Sequence, residues 1–193
     1  MTNGQAAILA ILLSAACAAR ATQVLRGGPP TFAGTDEQTH VVPERPPYRF
    51  TVLVFFSKHC HCLAAHDERL RRMYARYRLS GVQFFAVDSE VTADVARDRE
   101  EAEQRSYPFP ILIDPMGRLA RTLGVLSAGH AVVLNGRGEV AYEGGIDSDK
   151  VHLHDDATPF LSNALDDLLA DRAPRVAVTD TPGCALHTAL HQW

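Results

Sequence analysis

From Ser57 to His66 the chain reads Ser-Lys-His-Cys-His-Cys-Leu-Ala-Ala-His, with thiols at Cys60 and Cys62 and imidazoles at His59, His61 and His66. Thiols this close support two kinds of chemistry. As thiolates they attack disulfides or peroxides, and a pair of them cycles between dithiol and disulfide. As soft ligands beside an imidazole, they suit Cu(I), and Zn(II) less well. At about 100° per residue, positions two apart on an α-helix point roughly 200° apart. Cys60 must therefore sit in the loop or cap before a helix for its sulfur to meet that of Cys62. Even there a bridge across two residues is strained and easily reduced. Cys184, which follows Gly183 near the C-terminus, is a third thiol able to reach back and resolve a mixed disulfide or a sulfenic acid.

The surrounding pattern says what must position these groups. Phe50 to Phe56 (FTVLVFF) is an almost unbroken apolar run, as expected of a strand buried on both faces. A helical stripe follows, with Leu63, Leu70, Met73, Tyr74 and Tyr77 on one side, ended by Ser80-Gly81. Val82 to Val87 predicts a second buried strand, Thr92 to Arg105 a charged helix, Ile111 to Ile113 a short strand and Arg118 to Leu123 a short helix. His130–Leu134 and Glu139–Glu143 flank Asn135-Gly136-Arg137-Gly138, a hairpin signal. Thr158-Pro159 predicts the start of a last helix, with the threonine hydroxyl as its cap. The order is that of an α/β fold with parallel strands and one antiparallel hairpin. Cys60 falls where the first buried strand meets its helix, at the sheet edge where ligands bind in open α/β folds. There the helix dipole, Lys58 and any protonated histidine favour an accessible Cys60 thiolate.

A strand, then Cys60-His61-Cys62, then an amphipathic helix and the later hairpin resemble the thioredoxin-like superfamily. Within it the chain is similar to exported redoxins related to alkyl hydroperoxide reductases, the AhpC/TSA type. The resemblance covers about Pro46 to Leu169. It rests on Val52–Phe56 leading to Cys60, on Phe109-Pro110-Ile111-Leu112-Ile113-Asp114-Pro115-Met116-Gly117, on Val132-Val133-Leu134-Asn135 and on Gly144-Gly145-Ile146-Asp147. Thr181-Pro182-Gly183-Cys184 resembles the Gly-Cys ending of some members. The resemblance implies a central mixed sheet flanked by helices and makes Cys60 the nucleophile of a thiol-disulfide oxidoreductase, with Cys62 or Cys184 as the resolving thiol. No cofactor is then required, and the partners are protein or small-molecule thiols and disulfides. Two positions depart from the pattern. Leu63 stands where the second cysteine of a Cys-x-x-Cys motif would be, and Ala128-Gly129-His130 lacks the proline that family members carry before this strand. A peroxidase reading uses the same nucleophile, with Ser57 where a threonine would stand. In a third reading the chain resembles thioredoxin-like copper chaperones, with Cys60, Cys62 and His130 as the copper ligands and His61 and His66 as alternatives. His152-Leu153-His154, beside Asp155 and Asp156, reads as a solvated loop.

With 193 residues, the chain is long enough for one domain plus extensions. Its 19 basic and 23 acidic residues are dispersed and leave a net charge of −4, so no basic stripe marks a nucleic-acid partner. Four cysteines are too few for a disulfide scaffold. Ala6 to Ala19 is apolar apart from Ser14, which predicts an export signal over residues 1–19 rather than a membrane span. Leu13-Ser14-Ala15-Ala16-Cys17 resembles a lipoprotein box, which would attach the protein to a membrane through a lipidated Cys17. The expected place is the bacterial cell envelope, either periplasmic or membrane-anchored. The Pro- and Gly-rich residues 20–46 read as a poorly packed tether, 47–171 as the domain and 172–193 as a flexible tail carrying Cys184.

Overall fold

A computed structural model describes residues 29–43 and 47–188. The expected export signal and Cys17 lie outside the described residues. No helix among the described residues is long and apolar enough to cross a membrane.

The apolar run at Phe50–Phe56 becomes β3, the central strand, buried on both faces except at its first residue. It pairs in parallel with β4 (Val82–Asp88) and antiparallel with β6 (Ala131–Asn135). With β5 (Ile111–Ile113) beyond β4, and β7 (Val140–Gly144) beyond β6, the sheet order is β5-β4-β3-β6-β7. The Asn135 side chain organises the β6–β7 turn by accepting the N–H groups of Arg137 and Glu139, and Gly138 takes the left-handed conformation there. Helices α1 (His61–Ala65), α2 (Asp67–Tyr77), α3 (Val95–Gln104), α4 (Arg118–Leu123) and α5 (Phe160–Leu169) flank the sheet. This is the thioredoxin-like mixed α/β architecture.

Local chemistry moves three helix ends from their expected places. The stripe from Leu63 to Tyr77 buries Leu63, Leu70, Met73 and Tyr77, but the helix breaks at His66, whose N–H bonds the Leu63 carbonyl. α3 starts at Val95, because Asp94 accepts the N–H groups of Ala96 and Arg97 as its cap. Thr158 does not cap α5: Pro159 holds the N-cap position, and no side chain makes the cap hydrogen bond.

Two larger expectations are corrected. Within the supposed tether, β1 (Thr31–Ala33) and β2 (Thr39–Val41) form an antiparallel hairpin, joined to β5 through a Gly34–Leu112 bridge and the Thr35 N–H to the Ile111 carbonyl. Phe32 and Val42 are buried in the main core. The short edge strand β5 otherwise leaves backbone groups unpaired, and the hairpin covers them. The tail is docked as well. Thr179 N–H bonds the Glu143 carbonyl beside β7, Ser127 and Ala185 form an antiparallel bridge, and Val91 N–H bonds the His187 carbonyl. Leu186 and Thr188 are buried. Backbone bonds to β7 and to the loops at 91 and 126–128 hold this segment where side-chain periodicity showed nothing.

Candidate functional site

β3 ends at Phe56, and the turn Ser57-Lys58-His59 delivers Cys60 to the N-cap of α1 in an extended conformation. Cys60 therefore stands outside the helix, so its sulfur and that of Cys62 can converge. The turn is held from two sides. Cys60 N–H donates to the Ser57 carbonyl at 3.1 Å, and Arg105 Nη2 donates to the Lys58 carbonyl at 3.0 Å. The Arg105 guanidinium also lies 5.0 Å from the centre of the Phe56 ring and pairs with Asp67 at 3.4 Å. Leu63 N–H points at Cys60 Sγ at 3.5 Å, a contact that strengthens when negative charge develops on sulfur.

The tail completes the arrangement. The sulfurs of Cys60, Cys62 and Cys184 all lie within 4.8 Å of one another, and all three are free thiols. Ala128 N–H donates to the Cys184 carbonyl at 2.8 Å and Leu186 N–H to the Leu126 carbonyl at 2.9 Å. Burial pushes the Cys184 thiol up to about 11, helped by its contact with Cys60 and by the charges of Cys60 and Cys62. Expectation and structure differ on access, because Cys60 has 0% of its surface exposed. Cys62 and Cys184 are half-buried. With no exposed surface, Cys60 meets a substrate only after a local rearrangement around it.

Behind Cys62 lies a network that sequence reading missed. His66, 5% exposed, directs Nδ1 at the Cys62 carbonyl (2.7 Å) and Nε2 at Asp147 (3.0 Å). Both partners are acceptors, an arrangement that favours the doubly protonated, cationic imidazole. Burial opposes that charge, but the hydrogen bonds to Asp147 and Cys62 outweigh it and hold the His66 pKa above 6.5. Asp147 is correspondingly held below the usual carboxylate range: burial acts upward, and His66 and Arg69 pull it down. Arg69 bridges Asp147 at 2.6 Å and Asp149 at 3.0 Å. The Cys62–His66 spacing of one helical turn was the available signal; the partner, 81 positions away, was not legible.

The other histidines separate from the site. His130 is not in the sulfur cluster. Its Nδ1 meets the Thr181 hydroxyl at 2.9 Å, its Nε2 is buried without a hydrogen-bond partner, and burial lowers its pKa to about 4. Cys184 thus stands where His130 was expected as the third ligand beside Cys60 and Cys62. His66 is occupied at both nitrogens, and His61 is exposed. His152 and His154 lie on an exposed loop, with His154 paired to Asp149 at 3.0 Å.

Residues 30–143 match the model of the AhpC/TSA family. No curated protein sequence matches the chain. Among solved structures, a hypothetical protein, SMc02350, from Sinorhizobium meliloti 1021 superposes with a TM-score of 0.76 at 18% identity, covering 86% of this chain and 93% of that one. An uncharacterized conserved protein from Geobacillus kaustophilus gives 0.72 at 23% identity, covering 81% and 88%. StoA from Bacillus subtilis gives 0.51 at 17% identity, covering 58% and 84%. At these identities the superpositions report the fold.

Proposed function

The chain belongs to the AhpC/TSA family, and from that premise we propose that it is a thiol-disulfide oxidoreductase of the cell envelope with Cys60 as its nucleophile. The observation that carries this reading is the meeting of three free sulfurs, from two distant parts of the chain, at the end of β3.

The steps follow from the geometry. The Cys60 thiolate attacks one sulfur of a substrate disulfide, forming a Cys60–substrate bond and releasing the other substrate sulfur as a thiolate, which takes a proton. A second protein thiolate then attacks Cys60 Sγ and expels the remaining substrate sulfur. The substrate gains two electrons and the protein holds a disulfide; run backwards, the same steps oxidise a dithiol. Cys184 is the resolving thiol favoured by geometry. It comes from a separate segment and closes no strained two-residue ring, whereas Cys62 does. Substrate access requires segment 181–186 to lift away. It is fastened by the Cys184 and Leu186 backbone bonds, by Thr181 to His130 and by the buried Leu186 side chain, and local opening has to release these.

The peroxide reading is less favoured. It needs an arginine free to face the peroxide, and Arg105, which reaches this loop, is committed to Lys58 and Asp67. The envelope location is supported by the apolar stretch at residues 6–19.

Insulin reduction under a dithiol supply tests the reading. The intact protein turns over, and Cys60→Ser does not. Peptide mapping of the oxidised protein finds a Cys60–Cys184 link. Turnover by Cys60→Ser equal to that of the intact chain overturns the proposal.

A further inference from the structure

We propose that the reduced cluster of Cys60, Cys62 and Cys184 is a preformed site for a single thiophilic d10 ion of low coordination number, Cu(I). The inference concerns the dithiol state alone and does not depend on turnover of a disulfide.

Three features point to this ion. The donor set consists of sulfur only, within 4.8 Å of one another, with no carboxylate or imidazole in the group. Soft ligands of this kind select Cu(I) and disfavour hard cations. With metal–sulfur bonds of about 2.3 Å, a trigonal centre places its sulfurs roughly 4 Å apart, so the cluster needs to contract by less than about 1 Å. Tetrahedral Zn(II) needs a fourth donor. Among the described residues no imidazole joins the group: His66 is bonded at both nitrogens, and His130, although its Nε2 has no partner, lies outside the cluster of sulfurs.

The third feature is enclosure. Cys60 is completely buried, and the third sulfur arrives on the docked tail segment. Three thiolates this close repel one another in the absence of a cation. Binding replaces thiol protons, which leave to solvent as Cu–S bonds form; copper enters and stays as Cu(I), so no electron is transferred. Because the site requires tail and core together, its affinity depends on the docking of residues 181–186 and not on thiol content alone.

That dependence separates a built site from loose thiol binding. Reduced full-length protein is titrated under nitrogen with Cu(I) against a bicinchoninate competitor, and the bound ion is examined by X-ray absorption. The expected result is one ion per chain, with three sulfurs and no imidazole scattering. Cys184→Ser should weaken binding by more than about 10-fold. Gly183→Ala keeps every thiol but places a Cβ 1.9 Å from the Ala128 carbonyl oxygen, which displaces the tail. It should weaken binding by about 10- to 100-fold, as loss of support around a metal site does. Thr181→Val, which removes the contact to His130 and also spares every thiol, is a second such variant should Gly183→Ala fail to fold. Unchanged affinity in the folded tail variants, or an imidazole in the copper shell, overturns the proposal.

Discussion

Gly183 passes so close over Ala128 that a Cβ on it would stand 1.9 Å from the Ala128 carbonyl oxygen. This approach seats Cys184 beside Cys60, and it requires glycine for steric reasons. Gly183→Ala should therefore unseat the tail while leaving the fold of the sheet intact. Labelling of Cys60 by a bulky maleimide should accelerate about tenfold for every 1.4 kcal/mol of docking lost. Mass spectrometry of quenched time points measures it, and an unchanged Cys60 rate would show that the tail does not control access.

The His66–Asp147 pair predicts a pH effect of defined sign. The folded-state pKa of His66 is raised above 6.5, so the pair's stabilisation is complete below that value and fades as pH rises through the folded pKa. The intact protein should lose stability on that alkaline side, and His66→Gln should be flatter there in denaturant melts. Asp147→Asn strands a buried imidazolium and should cost about 3–5 kcal/mol. Because His66 holds the Cys62 carbonyl, both variants should also change the reactivity of Cys62.

A second titration runs in the same direction for a different reason. Asp88 and Asp98 are both buried, and burial raises both pKa values, that of Asp88 to about 8. The folded state keeps a proton that the unfolded chain releases near 3.8. Stability should therefore decline as pH climbs from about 4 to about 8. Asp88→Asn cannot ionise and should remove most of that slope, as chemical melts at several pH values would show. A slope unchanged in the variant would mean that other groups carry it.

Where the sequence is legible, one side chain after another repeats the same message. FTVLVFF can hardly be anything but a central strand, Asn135 to Gly138 is a turn by its chemistry, and a cysteine just after such a strand falls at the start of a helix. The hidden parts are those held by backbone or by distant partners. The β1–β2 hairpin has three-residue strands and little beyond Phe32 and Val42 to signal burial. The tail docks through N–H and carbonyl groups at 126–128 and 143, which leave no periodic trace. Cys60 is buried at a site that the docked tail joins, whereas the motif alone predicts an exposed thiolate.

Attack by Cys60 can be isolated chemically. A Cys62→Ser/Cys184→Ser variant has no resolving thiol at the site, so a disulfide exchanged at Cys60 has nowhere to go. Incubated with glutathione disulfide and digested, it should carry one glutathione on the peptide containing Cys60, while the intact chain sheds glutathione and closes Cys60 onto Cys184. A double variant that stays unmodified at Cys60, under conditions where free cysteine exchanges, would contradict the assignment of Cys60 as the nucleophile.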